Sequence, residues 1–330
     1  MNRFSRCVAA VLLLIPLVLI SSCSKKKEQS YGTQAEYDAP APFSGDSAYS
    51  FVKKQVDFGP RVPGSKAHSL CGDWLVAKLK SYGAEVSEQI SSVKTYDGKS
   101  YKCRNILASF SPEKKERVLL LSHWDCRPFS DNDADESKWR NPVDGANDGA
   151  SGVGVLVEVA RQLSAQPASV GVDILLVDVE DYGVPQFDEA VEHSSDTWCI
   201  GSRVWATEAA EKGYKARFGI LLDMVGSPVA VFPKEMYSMD YAAGVVDKVW
   251  TKARRLGKSD LFVDKRLGGI TDDHVQINQI LGIPTVDIIH YSETGFGHFW
   301  HTAEDNMSNV SAQTLQSVGE VVLSVVLDEK

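Results

Sequence analysis

The chain has 330 residues, 43% of them hydrophobic and 24% charged, and a formal net charge of −9. That acidic balance argues against a nucleic-acid partner and against a broadly basic membrane-binding face. The dense apolar patterning after the first 43 residues argues against a disordered or fibrous chain and suits one α/β domain with a sizeable core.

The chain opens on a segment that does not belong to that domain. Arg3 and Arg6 precede an apolar core over 8–20, broken by Pro16 and followed by Ser21-Ser22-Cys23. A basic start, a short apolar core and small residues before a cut describe a secretory signal over 1–22, too short for a comfortable membrane span. Small residues directly before Cys23 resemble the lipobox of bacterial lipoproteins. That resemblance implies cleavage there, acylation of the Cys23 thiol and an exported protein anchored to a membrane and facing the periplasm. Residues 23–43 are polar, with Lys25-Lys26-Lys27, and read as a flexible tether; 44–330 read as a single domain. Export permits disulfides among Cys71, Cys103, Cys126 and Cys199, and the sequence leaves their pairing open. Their wide spacing, without a C-x-x-C, speaks against a cysteine zinc site.

Within the domain, apolar spacing predicts helices over 47–58 and 67–82, the second with Leu70, Trp74, Leu75 and Leu79 on one face. Strands follow over 85–93 and 101–110, joined across Asp97-Gly98. A strand over 117–125 then ends in His123-Trp124-Asp125, and a helix over 151–163 leads into the run Ile174-Leu175-Leu176-Val177. Next come a helix over 202–212, a strand over 218–226, helices over 239–256 and 273–281, a strand over 284–290 and a closing helix over 311–327. This alternation predicts a three-layer α/β/α fold with a mixed, mostly parallel central sheet.

Ligands of such sheets bind beyond the carboxyl ends of the strands. There the chain places His123 and Asp125, Asp148 in a Gly-rich turn, the adjacent pair Glu180 and Asp181, Asp223, then Asp272-Asp273-His274, and His301. Acids at one strand end ordinarily face water. Five or six converging ends need a cation to hold like charges together. Asp, Glu and His without Cys suit a catalytic Zn²⁺ with an open position. At a bent strand exit one acid of the pair can bind metal while its neighbour faces substrate as a proton shuttle.

These residues carry a resemblance. His123-x-Asp125, GANDGASG around Asp148, Glu180-Asp181, Asp223 in LLDMVG and His301 in WHT resemble, in order and over most of the chain after the tether, the zinc aminopeptidase-like M28 peptidases. PRVPGS at 60–65, Asp272-Asp273-His274, and Trp300-His301-Thr302 followed by Asp305-Asn306 resemble the glutaminyl cyclases of that clan, which turn N-terminal glutamine into pyroglutamate and release ammonia. The resemblance implies one zinc on Asp148, Asp181 and His301, and Glu180 as the proton-transfer group. It implies Asp223 and Asp272 as hydrogen-bonded acids beside Glu180, and Trp300 and Trp198 as pocket walls. The implied substrates are peptides or proteins with N-terminal Gln. Two departures are visible: Asp181 stands where animal members have Glu, and the segment 182–197 is longer than theirs. The rival within the clan is a dinuclear zinc aminopeptidase using His123, Asp148, Asp181, Asp223 and His301, with Asp125 beside the second metal. A non-catalytic binding lipoprotein is disfavoured by the complete set of base and ligands, and a serine hydrolase by the lack of G-x-S-x-G. His68, His193, His290 and His298 read as surface or supporting histidines, and His274 as a hydrogen-bond partner rather than a ligand. Trp74, Trp205 and Trp250 read as core.

Overall fold

A computed structural model describes residues 37–330, so the signal segment, Cys23 and most of the tether lie outside the described residues. In chain order the elements are α1 (Gly45–Val56), α2 (Lys66–Ser81), β1 (Glu85–Lys94), β2 (Ser100–Phe110), β3 (Arg117–His123), α3 (Ala150–Ala165), β4 (Gly171–Val177) and α4 (Ile200–Glu211). They continue with β5 (Phe218–Asp223), β6 (Phe232–Lys234), α5 (Met236–Arg255), β7 (Phe262–Arg266), α6 (Asp273–Gln276), β8 (Thr285–Ile289) and α7 (Ala312–Asp328). Six strands form the central sheet in the order β1-β2-β4-β3-β5-β8. The hairpin β1–β2 lies antiparallel against β4, and β4, β3, β5 and β8 run parallel.

The parallel strands are near-continuous apolar runs because both of their faces are covered. Alternation along each strand divides the side chains between two layers. Leu120, Ile174, Ile220 and Val286 pack with α1, α3, α5 and α7. Leu119, Leu121, Leu175 and Leu221 pack instead against Trp205, Ala206 and Ala209 of α4 and against Ile277 and Ile283. The result is the expected three-layer α/β/α arrangement.

Three differences from the sequence reading have physical reasons. The parallel pair β6–β7 went unpredicted because β6 is a three-residue Phe-Pro-Lys run, and a proline in so short a stretch reads as a turn. The helix expected over 273–281 splits into the single turn α6 and a π-helical turn, Ile277–Leu281. Residues 37–43, placed in the tether by composition, lie against the domain. Asp38 pairs with Lys252 and Arg255 at 2.7 and 2.8 Å, and the buried Phe43 ring fills the space over Gly319. The four cysteines Cys71, Cys103, Cys126 and Cys199 are buried and free. Among the described residues no helix is long and apolar enough to cross a membrane.

The PRVPGS turn has a structural task. Ser65 caps α2 by accepting the His68 N–H, and Arg61 is fully buried beneath it. Arg61 donates to the carbonyls of Trp124 (3.0 Å), Asp144 (2.7 Å) and Gly145 (2.6 Å), bracing the loop that carries Asp148. Arg61→Met keeps the bulk and strands those acceptors, so it is expected to lower unfolding free energy by roughly 3 kcal/mol. A denaturant melt checks this, and an unchanged midpoint would remove Arg61 from the account.

Candidate active site

The four parallel strands end on one edge of the sheet, and the exit of β4 explains its run of acids. Val179 is left-handed (φ 54°), which breaks the two-fold alternation. Asp178 is fully buried, pairs with His68 Nε2 at 2.8 Å and accepts the Arg104 and Val179 backbone N–H groups. The next two backbone N–H groups, of Glu180 and Asp181, donate to the carboxylate of Asp125 at 3.2 and 3.3 Å. Asp125 thus brackets the loop, with His123 Nδ1 3.5 Å from its Oδ1. Glu180 is left partly exposed toward a cavity, and Asp181 points inward with its Oδ1 3.1 Å from His301 Nε2.

Asp148 is positioned from two sides. Gly149, at φ 87°, has no room for a side chain: a Cβ would sit 2.7 Å from the Asp125 carbonyl and 2.9 Å from the His123 ring. Asp305 accepts the Asn147 and Asp148 backbone N–H groups at 2.7 and 3.1 Å, which gives the acid after the WHT motif its structural task. The Asp148 carboxylate then lies between two histidines, Oδ1 3.0 Å from His123 Nε2 and Oδ2 3.4 Å from His301 Nε2. Asp223 Oδ1 is 3.2 Å from the same His123 nitrogen.

Two overlapping donor sets result. Asp148, Asp181 and His301 offer ligand atoms within 4.8 Å of one another, as do His123, Asp148 and Asp223. Apart from the His301 Nε2 contact at Oδ1, both oxygens of the buried Asp181 lack a hydrogen-bond partner. A buried carboxylate with no partner is costly, and a cation removes that cost. Two carboxylates and one imidazole with an open side therefore fit Zn²⁺.

The cavity has a volume of about 400 Å³. Glu180, Asp223 and Asp272 line it beside the first donor set, and Trp198, Trp300, Phe296 and Tyr291 supply aromatic walls. The His301 ring stacks on Trp300 with centroids 3.8 Å apart and lies nearly parallel to Trp198, at 5° and 6.0 Å. Removal from water pushes the Glu180 carboxyl well above its ordinary value; His123 pulls it down, and Asp181, Asp272 and Asp273 push it further up. Burial likewise raises Asp223 to about 7, against the hydrogen bond from His123. Besides Val179, the left-handed non-glycine residues include Cys199, Met224 and His301, each beside or within this cavity, with only Ser111 elsewhere among the described residues. Backbone held in such conformations gathers where side chains must be aimed.

The hydrogen bond expected between Asp223 and Asp272 is not among the described contacts. Asp272 caps α6, its Oδ1 takes the Asp273 N–H, and its Oδ2 has no partner. His193 and His298 are exposed, whereas His68 and His290 are buried, the latter accepting the Val231 N–H. Two features escaped the sequence reading. Arg127 and Asp131 form a fully buried bidentate pair at 2.9 and 2.7 Å. Arg127 also donates to the carbonyls of Asp181 and Gly183 and lies 4.5 Å over the Trp198 ring, while Asp131 is 3.8 Å from His301 Nδ1. Cys199, a disulfide candidate by sequence, instead directs its thiol at Glu180 Oε1, 3.3 Å away.

Residues 105–326 match the model described as Peptidase family M28. The chain is similar to the solved glutaminyl cyclase of Bacteroides thetaiotaomicron bound to N-acetylhistamine, with 49% identity and a TM-score of 0.86 over 88% of this chain and 100% of that one. It is similar to the same degree, 49% identity and a TM-score of 0.86, to a solved leucine aminopeptidase precursor from the same organism, over 88% and 99% of the two chains. The aminopeptidase YwaD of Bacillus subtilis is 26% identical over 258 residues, 76% of this chain and 46% of that protein, so the chain spans about half of that relative. Neighbours at equal distance carry the names of two activities, and their likeness to this chain lies in the fold. The chain belongs to peptidase family M28.

Proposed function

We propose that this protein is a zinc-dependent glutaminyl-peptide cyclotransferase, converting N-terminal glutamine of peptides or proteins into pyroglutamate with release of ammonia. The observation that carries the proposal is the aromatic lining: Trp198 and Trp300 both lie beside His301 in a cavity of about 400 Å³ that also holds Glu180. Such walls suit one small polar side chain held in a fixed pose. The 49% identity to a solved glutaminyl cyclase supports the same reading. An exported lipoprotein acylated at Cys23 and facing the periplasm belongs to the proposal, on the strength of the sequence around that residue.

In this reading Asp148, Asp181 and His301 hold the zinc, which when bound supplies Lewis-acid polarisation of the side-chain carbonyl. Trp198 and Trp300 hold the glutamine so that its α-amine lies against its own amide carbon, which makes the attack intramolecular. As the new N–C bond forms, Glu180 takes a proton from the amine and passes it to the amide nitrogen, whose C–N bond breaks to release ammonia. Cys199 occupies Oε1 of Glu180, which leaves Oε2 to carry the proton. Asp223 and Asp272 line the cavity where charge develops. No water is consumed.

One observation favours a second reading. His123, Asp148 and Asp223 form a donor set that shares Asp148 with the first, the arrangement a dinuclear aminopeptidase would use. Mass spectrometry of a short peptide with N-terminal Gln, incubated with the zinc-loaded protein, separates the two. Loss of one ammonia from an intact chain is the expected result, and release of the whole first residue would establish the aminopeptidase. An untouched peptide would overturn the cyclase, and an untouched N-terminal-Leu peptide besides would favour a binding protein.

A further inference from the structure

Beside the cavity lies a second concavity, a groove with a volume of about 460 Å³. Ser195 and Thr271 belong to the walls of both, so the groove adjoins the cavity along that rim. Its lining is mostly polar, with Asp196, Arg203, Tyr237, Gln276 and Gln279. The two spaces differ in charge. The cavity is lined by five acids, Asp148, Glu180, Asp181, Asp223 and Asp272, and by no described lysine or arginine, whereas the groove has Arg203.

Arg203 is pinned by one nitrogen. Its Nη2 donates to the carbonyls of Asp196 and Trp198 at 3.0 and 2.9 Å, which ties the guanidinium to the loop that carries a wall of the cavity. Among the described residues Nη1 and Nε have no hydrogen-bond partner and no carboxylate pairs with this guanidinium. Asp196 gives it a carbonyl and keeps its own carboxylate, on an exposed residue, apart. A guanidinium with donors to spare binds a carboxylate through charge-assisted hydrogen bonds. A head group already held in place loses little further freedom on binding, so most of the strength of such a bond remains. Gln276 and Gln279 add amide groups, whose donors and acceptors match the N–H and C=O of a peptide backbone.

We propose that this groove is the subsite for the stretch of substrate that follows its N-terminal residue, and that Arg203 takes a carboxylate there. The inference rests on the reading of the cavity as the seat of a peptide N-terminus. A chain held by its first residue in the cavity runs on across Ser195 and Thr271 into the groove. The second residue still lies over the acid-lined cavity, which repels a negative side chain. The carboxylate therefore belongs to the third or fourth residue, or to the C-terminus of a short peptide. Arg203 acts against the field of the cavity acids and of a chain whose formal net charge is −9, so a preference for acidic substrates points to this one side chain.

The test compares kcat/KM of the zinc-loaded protein on amidated peptides with N-terminal Gln that carry Glu or the isosteric Gln at the second, third or fourth position. A further pair, free acid against amide, separates a C-terminal carboxylate from a side chain. Glu at the third or fourth position, or the free acid, is expected to raise kcat/KM about fivefold, through KM, and the advantage shrinks as NaCl rises from about 0.05 to about 0.5 M. Arg203→Gln brings the ratio to one or below, and Arg203→Glu turns the preference toward Lys at the same position. The neutral peptide is the reference for each variant, so a merely structural loosening of the Trp198 loop lowers all rates and leaves the ratio in place. A wild-type ratio under about twofold for every carboxylate-bearing peptide, or a ratio that Arg203→Gln leaves unchanged, overturns the proposal. Cyclisation of the neutral peptide is a separate readout, so the cyclase reading stands or falls apart from the subsite. If the first residue is released instead, the same series headed by Leu measures the same ratio. Turnover of neither series overturns the subsite together with the reading beneath it.

Discussion

Glu180→Gln is expected to lower turnover of an N-terminal-Gln peptide by about 10³-fold while leaving the zinc content unchanged. The substitution keeps length and shape, and the surroundings that place the residue do not depend on its charge. Asp125 holds its backbone N–H, the Cys199 N–H donates to its carbonyl at 3.0 Å, and the Cys199 thiol can still donate to the amide oxygen. What disappears is the oxygen that accepts and returns a proton. Turnover near the wild-type rate would end the assignment of Glu180 as proton carrier. Loss of zinc together with activity would make it a metal-holding residue instead.

Arg127→Met is expected to destabilise the protein by about 3–5 kcal/mol, the usual effect of stranding one partner of a buried ion pair. Both side chains are 1% exposed, so little water can screen Asp131 once the guanidinium is gone. The carbonyls of Asp181 and Gly183 lose their donor in the same step. Removing both charges is the informative comparison: Arg127→Met with Asp131→Leu should recover part of the loss, since no carboxylate is then left buried and unpaired. Urea melts of these two variants and of Asp131→Leu alone measure the coupling. A single-variant loss below about 1 kcal/mol would contradict a desolvated pair.

Where sequence reading succeeded and failed follows from how local each signal is. The parallel strands were legible because a strand covered on both faces must be apolar along its length, as in Ile174-Leu175-Leu176-Val177. Placing the polar residues at strand exits followed from the architecture, and the cavity does gather Asp148, Glu180, Asp181, Asp223, Asp272 and His301. The separate tasks of Asp178, Glu180 and Asp181 were not legible, because they depend on the left-handed turn at Val179 and on Asp125 across the loop. Asp125, read as a second-metal or supporting residue, accepts the Glu180 and Asp181 backbone N–H groups, a task visible only once the loop is folded. Arg127 and Asp131 drew no reading, since nothing local announces that both are buried.

The Arg127 clamp also bears on how such a pocket can diversify. One guanidinium stacks on the Trp198 wall and binds the backbone of Asp181, a candidate metal ligand, so a change to that wall is transmitted to the metal side. Substitutions there should be strongly epistatic with the ligand loop. Tyr291 and Phe296, which also line the cavity, pack on each other, and Phe296 packs on Trp300. Descendants of this chain that acquire new substrates should therefore vary first at Tyr291 and Phe296 and keep Trp198 until Arg127 changes with it.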